Sequence, residues 1–150
     1  MTIAFGNDHA GYIHRKEALT ILKDFGVSVI DHGTDSPEPV DFPLLTKDVC
    51  RTVLLGKAQR GILLCGTGLG SAMAANRYKG VRAGVCHDTH SAHQGVEHDD
   101  MNVMCLGAQI VGPWLMRDLI GAFLNAQFDA TEDVIRRVGM LDKTGTDINE

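Results

Sequence analysis

Apolar residues in this chain gather into short runs bounded by glycine, aspartate or asparagine: TIAFG at 2–6, VSVID at 27–31, GILLC at 61–65, VRAGVC at 81–86 and VMCLG at 103–107. Each has the length of a strand, and most are apolar almost throughout rather than alternating, the pattern of strands buried on both faces. Between them the period changes to that of a helix. Ala18, Ile21, Leu22 and Phe25 predict one helix, and Leu45, Val49 and Val53 another, with Pro43 in its first turn behind Asp41. Ala72 to Arg77 predicts a short helix, and His90 to His98 a polar one. Trp114, Leu115, Leu119, Ala122 and Phe123 predict one face of a helix opening at Pro113, and Val134, Ile135, Val138 and Leu141 a last helix before the polar tail at 143–150.

Strand and helix thus alternate about five times, which predicts an α/β fold: a five-stranded parallel sheet with helices on both faces. Sheets of this kind bind ligands beyond the carboxyl ends of their strands, where helix N-termini converge. The polar and glycine-rich segments obey that rule: GNDHAG follows the first run, CGTGLGS the third, CHDTH the fourth and LGAQIVG the fifth. SPEPVDFP at 36–43 is a stiff loop suited to border a site.

Length changes this picture little: 150 residues make one domain, 1–150, with no internal repeat or linker. Charge narrows it. A formal net charge of -5 disfavours nucleic acid or an anionic membrane as partner, while leaving room for a local basic site that takes a small anion. No apolar run approaches the ~20 residues of a membrane span, and the N-terminal residues do not read as a signal segment, so a cytoplasmic protein is expected. Cys50, Cys65, Cys86 and Cys105 lie 15, 21 and 19 positions apart with no CxxC pair, so reduced thiols are expected.

One thiol stands apart. Cys65 ends its strand and is followed by Gly66, Gly68 and Gly70, which let backbone N–H groups face a ligand with no side chain in the way. The helix opening near Ser71 adds unpaired N–H groups, making this turn a place for an anion. The same field favours a thiolate at Cys65, a base or nucleophile; equally, a cysteine there is a small apolar residue closing a strand. A rival treats Gly66, Gly68 and Ser71 as a near-GxGxxG dinucleotide fingerprint with Asp88 on the ribose, but the third glycine is missing and the thiol is left without a task. Asp8 and His9 close the first strand at the same edge, as a hydroxyl- and phosphate-binding pair or as a turn. His98, before Asp99, Asp100 and Asn102, is a proton donor or a solvated helix end. His87, His90 and His93 match no firm metal pattern, and no metal is expected.

In order along the chain, GNDHAG, DHGTDSPEPVDFP at 31–43, CGTGLGSAMAAN at 65–76, GVRAGVC at 80–86 and HDDMNVMCLGAQIVG at 98–112 resemble the blocks of the ribose-5-phosphate isomerases of the B type, a family that includes galactose-6-phosphate isomerase subunits. The likeness extends over roughly 1–140. It implies a single Rossmann-like domain acting in carbohydrate metabolism and the pentose phosphate pathway, without cofactor or metal. It further implies homodimers or tetramers in which each active site borrows residues from a neighbouring subunit. Carried over by position, it makes Cys65 the base at C2 of an open-chain aldose and Thr67 its helper in moving protons between O1 and O2. The N–H groups around Gly66, Gly68, Gly70 and Ser71 would hold the enediolate, with His98 as ring opener. Asp8 and Asp99 would stand at the sugar, His9 and Arg137 at the phosphate, and Arg136 beside them. Three positions depart from the family: Asp99 replaces an asparagine, and Gln109 and Asp133 replace arginines. They admit another sugar phosphate, or a free sugar, as substrate.

Overall fold

The computed structural model describes residues 1–144; residues 145–150 of the expected tail lie outside the described residues. Eleven elements follow in strict alternation until the end: β1 (Thr2–Asn7), α1 (Arg15–Asp24), β2 (Ser28–Asp31), α2 (Phe42–Leu54), β3 (Arg60–Cys65), α3 (Leu69–Ala75), β4 (Ala83–Val85), α4 (Thr89–Asp99), β5 (Val103–Gly107), α5 (Pro113–Asn125) and α6 (Glu132–Leu141). A 3-10 turn at Tyr12–His14 leads into α1. The strands form one parallel sheet in the order β2-β1-β3-β5-β4.

Neighbouring strand residues point to opposite faces, and the core divides accordingly. Ile3, Phe5, Ile62, Leu64, Met104 and Leu106 pack with Leu22 of α1, Val96 of α4 and Leu119 and Phe123 of α5. Ala4, Leu63, Val103 and Cys105 face the other way, onto Val49 and Cys50 of α2 and Ala72 and Ala75 of α3. Two apolar layers on one sheet explain why the central strands carry almost no polar residue. The helix α6 covers α4 from outside with a narrow stripe, Val134 and Val138.

Some boundaries differ from expectation. The helix α5 buries Met116, Leu119, Ile120 and Phe123, whereas Trp114 is 88% exposed. Lying two residues before Met116, Trp114 is about 200° around the helix from the buried stripe. Ile135 and Leu141 are likewise exposed, because only one side of α6 meets the protein. The strand β4 is shorter than the apolar run 81–86, being an edge strand with a single partner. Conversely α3 starts at Leu69 rather than Ala72, so Gly70 and Ser71 belong to its first turn.

The first loop is drawn tightly over the sheet. A Cβ on Gly11 would stand 2.0 Å from the carbonyl oxygen of Leu64, so no other residue fits without moving β3. Gly11→Ala is expected to destabilise by roughly 1–3 kcal/mol, read as a lower Tm in thermal unfolding followed by circular dichroism.

Candidate active site

The thiol of Cys65 terminates β3 at the carboxyl edge of the sheet, on the face that carries α2 and α3. It is 5% exposed, and its Sγ accepts the backbone N–H of Gly68 at 3.1 Å. Gly68 takes φ +80°, a left-handed conformation that glycine adopts without strain, and this turns its N–H back onto the sulfur. The first backbone bond of α3 runs from Ala72 N–H to the Gly68 carbonyl at 3.1 Å. The N–H groups of Gly70 and Ser71 precede it and have no acceptor within the helix. Thr67 is exposed, and its hydroxyl accepts the Leu69 N–H at 3.4 Å. Gln109 folds over the turn: a Cβ on Gly66 would meet its Oε1 at 3.2 Å.

Asp8 and His9 stand at the same edge, next to β3 in the sheet order. Asp8 is buried, and its Oδ1 accepts the Gly11 N–H at 2.8 Å. The Nδ1 of His9 accepts the Val40 N–H at 3.2 Å, so the neutral ring carries its proton on Nε2 and presents a donor. The stiff loop 36–43 thereby orients a candidate site residue. Beneath the pair lies Asn7, which no pattern along the chain singles out. Its Nδ2 donates to the carbonyls of Asp8 and Thr34 at 3.1 and 3.0 Å, and its Oδ1 accepts from Arg15 at 2.7 Å. Arg15 also forms a two-pronged ion pair with Asp31 at 3.0 and 2.5 Å. Only in the fold do these positions become one brace.

The other expected site residues lie elsewhere. The helix α4 leaves the carboxyl end of β4 and, over 11 residues, runs back toward the start of β5. That is about 16 Å of helix, and it leaves His98 and Asp99, both exposed, at the amino edge, opposite Cys65. Arg136 and Arg137 belong to that end too: α6 begins after Asp129, whose N–H donates to the Glu97 carbonyl at 2.9 Å. Asp142, the residue that follows the last turn of α6, is ion-paired with Arg82 at 3.1 Å. Asp99 borders a cleft of about 790 Å³ that runs along β4 past Arg77, Lys79 and Arg82, and Cys65 does not line it. The single chain therefore places Asp8, His9, Cys65, Thr67 and the glycine turn at one edge, and His98, Asp99, Arg136 and Arg137 at the other.

Asp88, the candidate ribose ligand, is occupied otherwise: its carboxylate accepts the Ser91 N–H and hydroxyl, each at 2.7 Å, and caps α4. Those bonds hold it below the usual carboxylate range. His87 accepts the Gly107 N–H at 3.1 Å and so ties the ends of β4 and β5 together. Among the described residues no group of three or more His, Cys, Asp or Glu is arranged to hold a metal ion, and no helix is long and apolar enough to cross a membrane.

A parallel α/β sheet with a braced thiol and a donor-lined turn at its carboxyl edge defines an enzyme acting on a small polar molecule. The comparisons give the particular class. Residues 3–141 match the Ribose/Galactose Isomerase family. The chain is 42% identical over 127 residues to ribose-5-phosphate isomerase B of Escherichia coli, covering 85% of each. It is 38% identical over 130 residues to D-erythrulose-4-phosphate isomerase of Pectobacterium atrosepticum, covering 86% of each. The ribose-5-phosphate isomerase B structure of Clostridium thermocellum superposes with a TM-score of 0.93 at 39% identity, over 98% of this chain and 99% of that one. The chain belongs to the ribose/galactose isomerase family, and is an isomerase rather than a nucleotide-binding module.

Burial acts on the thiols of Cys50, Cys86 and Cys105. It pushes Cys50 and Cys86 up from 9.0 to about 11, Asp88 adding to the effect at Cys86, and it drives fully buried Cys105 well above the ordinary value. Held neutral in the fold but free to ionise once unfolded, these thiols support stability that is complete below pH 9 and lost as pH rises through about 11. A fall in Tm across that alkaline range is expected, reduced in a Cys86→Ala variant. At pH 7.5 iodoacetamide should label Cys65 ahead of the other three in the native protein, as read by peptide mapping.

Proposed function

We propose that this protein interconverts ribose 5-phosphate and ribulose 5-phosphate by proton transfer through a cis-enediolate, with Cys65 as the base. The observation that carries the reading is the Gly68 N–H on the Cys65 sulfur at 3.1 Å, at the mouth of a turn whose Gly70 and Ser71 amides have no acceptor within the helix. A hydrogen bond to sulfur favours the anion, and a thiolate is the form that can take a carbon-bound proton.

The chemistry needs two things at neighbouring atoms. As the thiolate removes the proton from C2, the C–H electron pair becomes the C1–C2 double bond and the carbonyl pair moves onto O1. That oxygen must be stabilised in the same step, since a proton α to a carbonyl is otherwise too weakly acidic. The turn from Gly66 to Ser71, with Gly68 and Gly70 inside it, supplies the amides. Thr67 carries a proton between O2 and O1, and the Cys65 thiol returns its proton to C1, leaving the carbonyl at C2. Asp8 holds sugar hydroxyls, and the Nε2–H of His9 meets the phosphate.

The remaining groups come from a second copy of the chain. His98, which opens the sugar ring, Asp99 at the sugar, and Arg137 with Arg136 at the phosphate sit at the far edge of their own sheet, so a neighbouring molecule must bring them to Cys65. Asp99 accepts a hydroxyl proton where the family has asparagine. A second reading keeps the chemistry and changes the substrate to a shorter sugar phosphate or a free sugar. The relative acting on D-erythrulose 4-phosphate, and Gln109 and Asp133 where arginines are expected, favour it.

In heavy water, NMR should show deuterium entering C2 of ribose 5-phosphate, and Cys65→Ala should slow this at least ~100-fold with the fold intact. Undiminished exchange in that variant would refute the base. Faster exchange with tetrose 4-phosphates or free pentoses would select the second reading. Cys65→Ala and His98→Ala, each deficient alone on the cyclic sugar, should regain about one quarter of wild-type rate when unfolded and refolded together, since half the dimers then hold one intact site of two. Failure to regain activity would mean that both residues act within one chain.

A further inference from the structure

We propose that Asp133 is an internal counter-ion that sets how tightly the site holds a phosphorylated substrate; this rests on the reading that Arg136 and Arg137 meet the phosphate. Asp133 lies in the first turn of α6, with the two arginines three and four positions on, along one side of the helix. Its Oδ1 accepts from Nη2 of Arg136 at 3.1 Å, and its Oδ2 from Nη2 of Arg137 at 3.4 Å. One carboxylate thus uses both oxygens on two guanidinium groups, and the three side chains together carry +1 instead of +2.

The consequence falls on the ligand more than on the fold. Asp133, Arg136 and Arg137 are 67%, 56% and 63% exposed, so solvent screens the pairs and they add little to stability. A phosphate dianion gains most from a guanidinium that offers two parallel N–H bonds. Here Nη2 of each arginine already donates to a carboxylate, and Nη1 of Arg136 is turned to the Met140 sulfur at 3.8 Å. A phosphate must displace Asp133 or share its donors beside a like charge. Binding of a dianion is thereby weakened selectively, while the uncharged end of a free sugar feels no such repulsion. Asp133 acts through the arginines and touches no reacting atom.

The test compares Asp133→Asn, which keeps shape and removes charge, with Asp133→Glu, which keeps charge. For Asp133→Asn, KM for ribose 5-phosphate and the dissociation constant of inorganic phosphate, followed by 31P NMR, should both fall about three- to tenfold, the scale of one exposed charge acting on a dianion. The kcat should stay within about twofold, and affinity should become more sensitive to salt. Asp133→Glu should remain within about twofold of wild type in every constant. Unchanged phosphate affinity in Asp133→Asn, or an equal shift in Asp133→Glu, would overturn the proposal. Because phosphate binding is measured without turnover, this outcome is distinct from failure of the isomerase reading, which appears as absent C2 exchange in the wild-type protein.

Discussion

Parallel strands impose a constraint from which the organisation of this molecule follows. All five strands point the same way, so every connection must carry the chain back from the carboxyl edge of the sheet to its amino edge. Residues just after a strand collect at one end, and residues at the close of a returning helix collect at the other. Asp8 and His9 follow β1, Cys65 ends β3 and Thr67 follows it; His98 and Asp99 close α4, and Arg136 and Arg137 lie on the helix that covers its end. The proposed mechanism uses both groups. Since a helix the length of α4 cannot be folded away, a second copy is the simplest way to join them.

At the carboxyl edge, local geometry decides what each thiol can do. Cys50 and Cys105 are fully enclosed in the layer between the sheet and α2 and α3, where a charge has no compensation. Cys65 lies on the same side of the sheet, yet ends its strand where a left-handed glycine bends an amide onto the sulfur. A single hydrogen bond and a place at the strand's end distinguish a candidate base from structural thiols of the same type. The brace from Asn7 through Arg15 to Asp31, and the Val40 amide on His9, hold the first loop, which lies against the backbone at the end of β3. Such rigidity suits the proposed reaction, whose proton and oxyanion sit on adjacent atoms.

Much of this was legible one residue at a time. Strand positions could be read because each central strand is apolar on both faces, and the glycine turn because glycines at 66, 68 and 70 have few other uses after a strand. The amphipathic faces of α5 and α6 are less legible. Trp114, Ile135 and Leu141 fit an apolar stripe by type but stand outside it, since one-dimensional spacing does not say which side of a helix meets the sheet. Asp88 matched a ligand position by spacing and proved to be a helix cap, a role its neighbour Ser91 decides.

By itself the sequence determined the alternation of elements, the family, and which thiol is the candidate base, because these depend on residue type and order along the chain. Tertiary structure alone decided which residues share a space. Asn7, Arg15 and Asp31 are far apart in sequence and meet because β1, α1 and β2 are packed side by side. Cys65 and His98 come from similar sheet-adjacent segments and are kept apart because α4 runs against the strands. Spacing along a chain carries no record of direction in space, and the direction of each element is set only when the sheet and its two helical layers bury their apolar faces together.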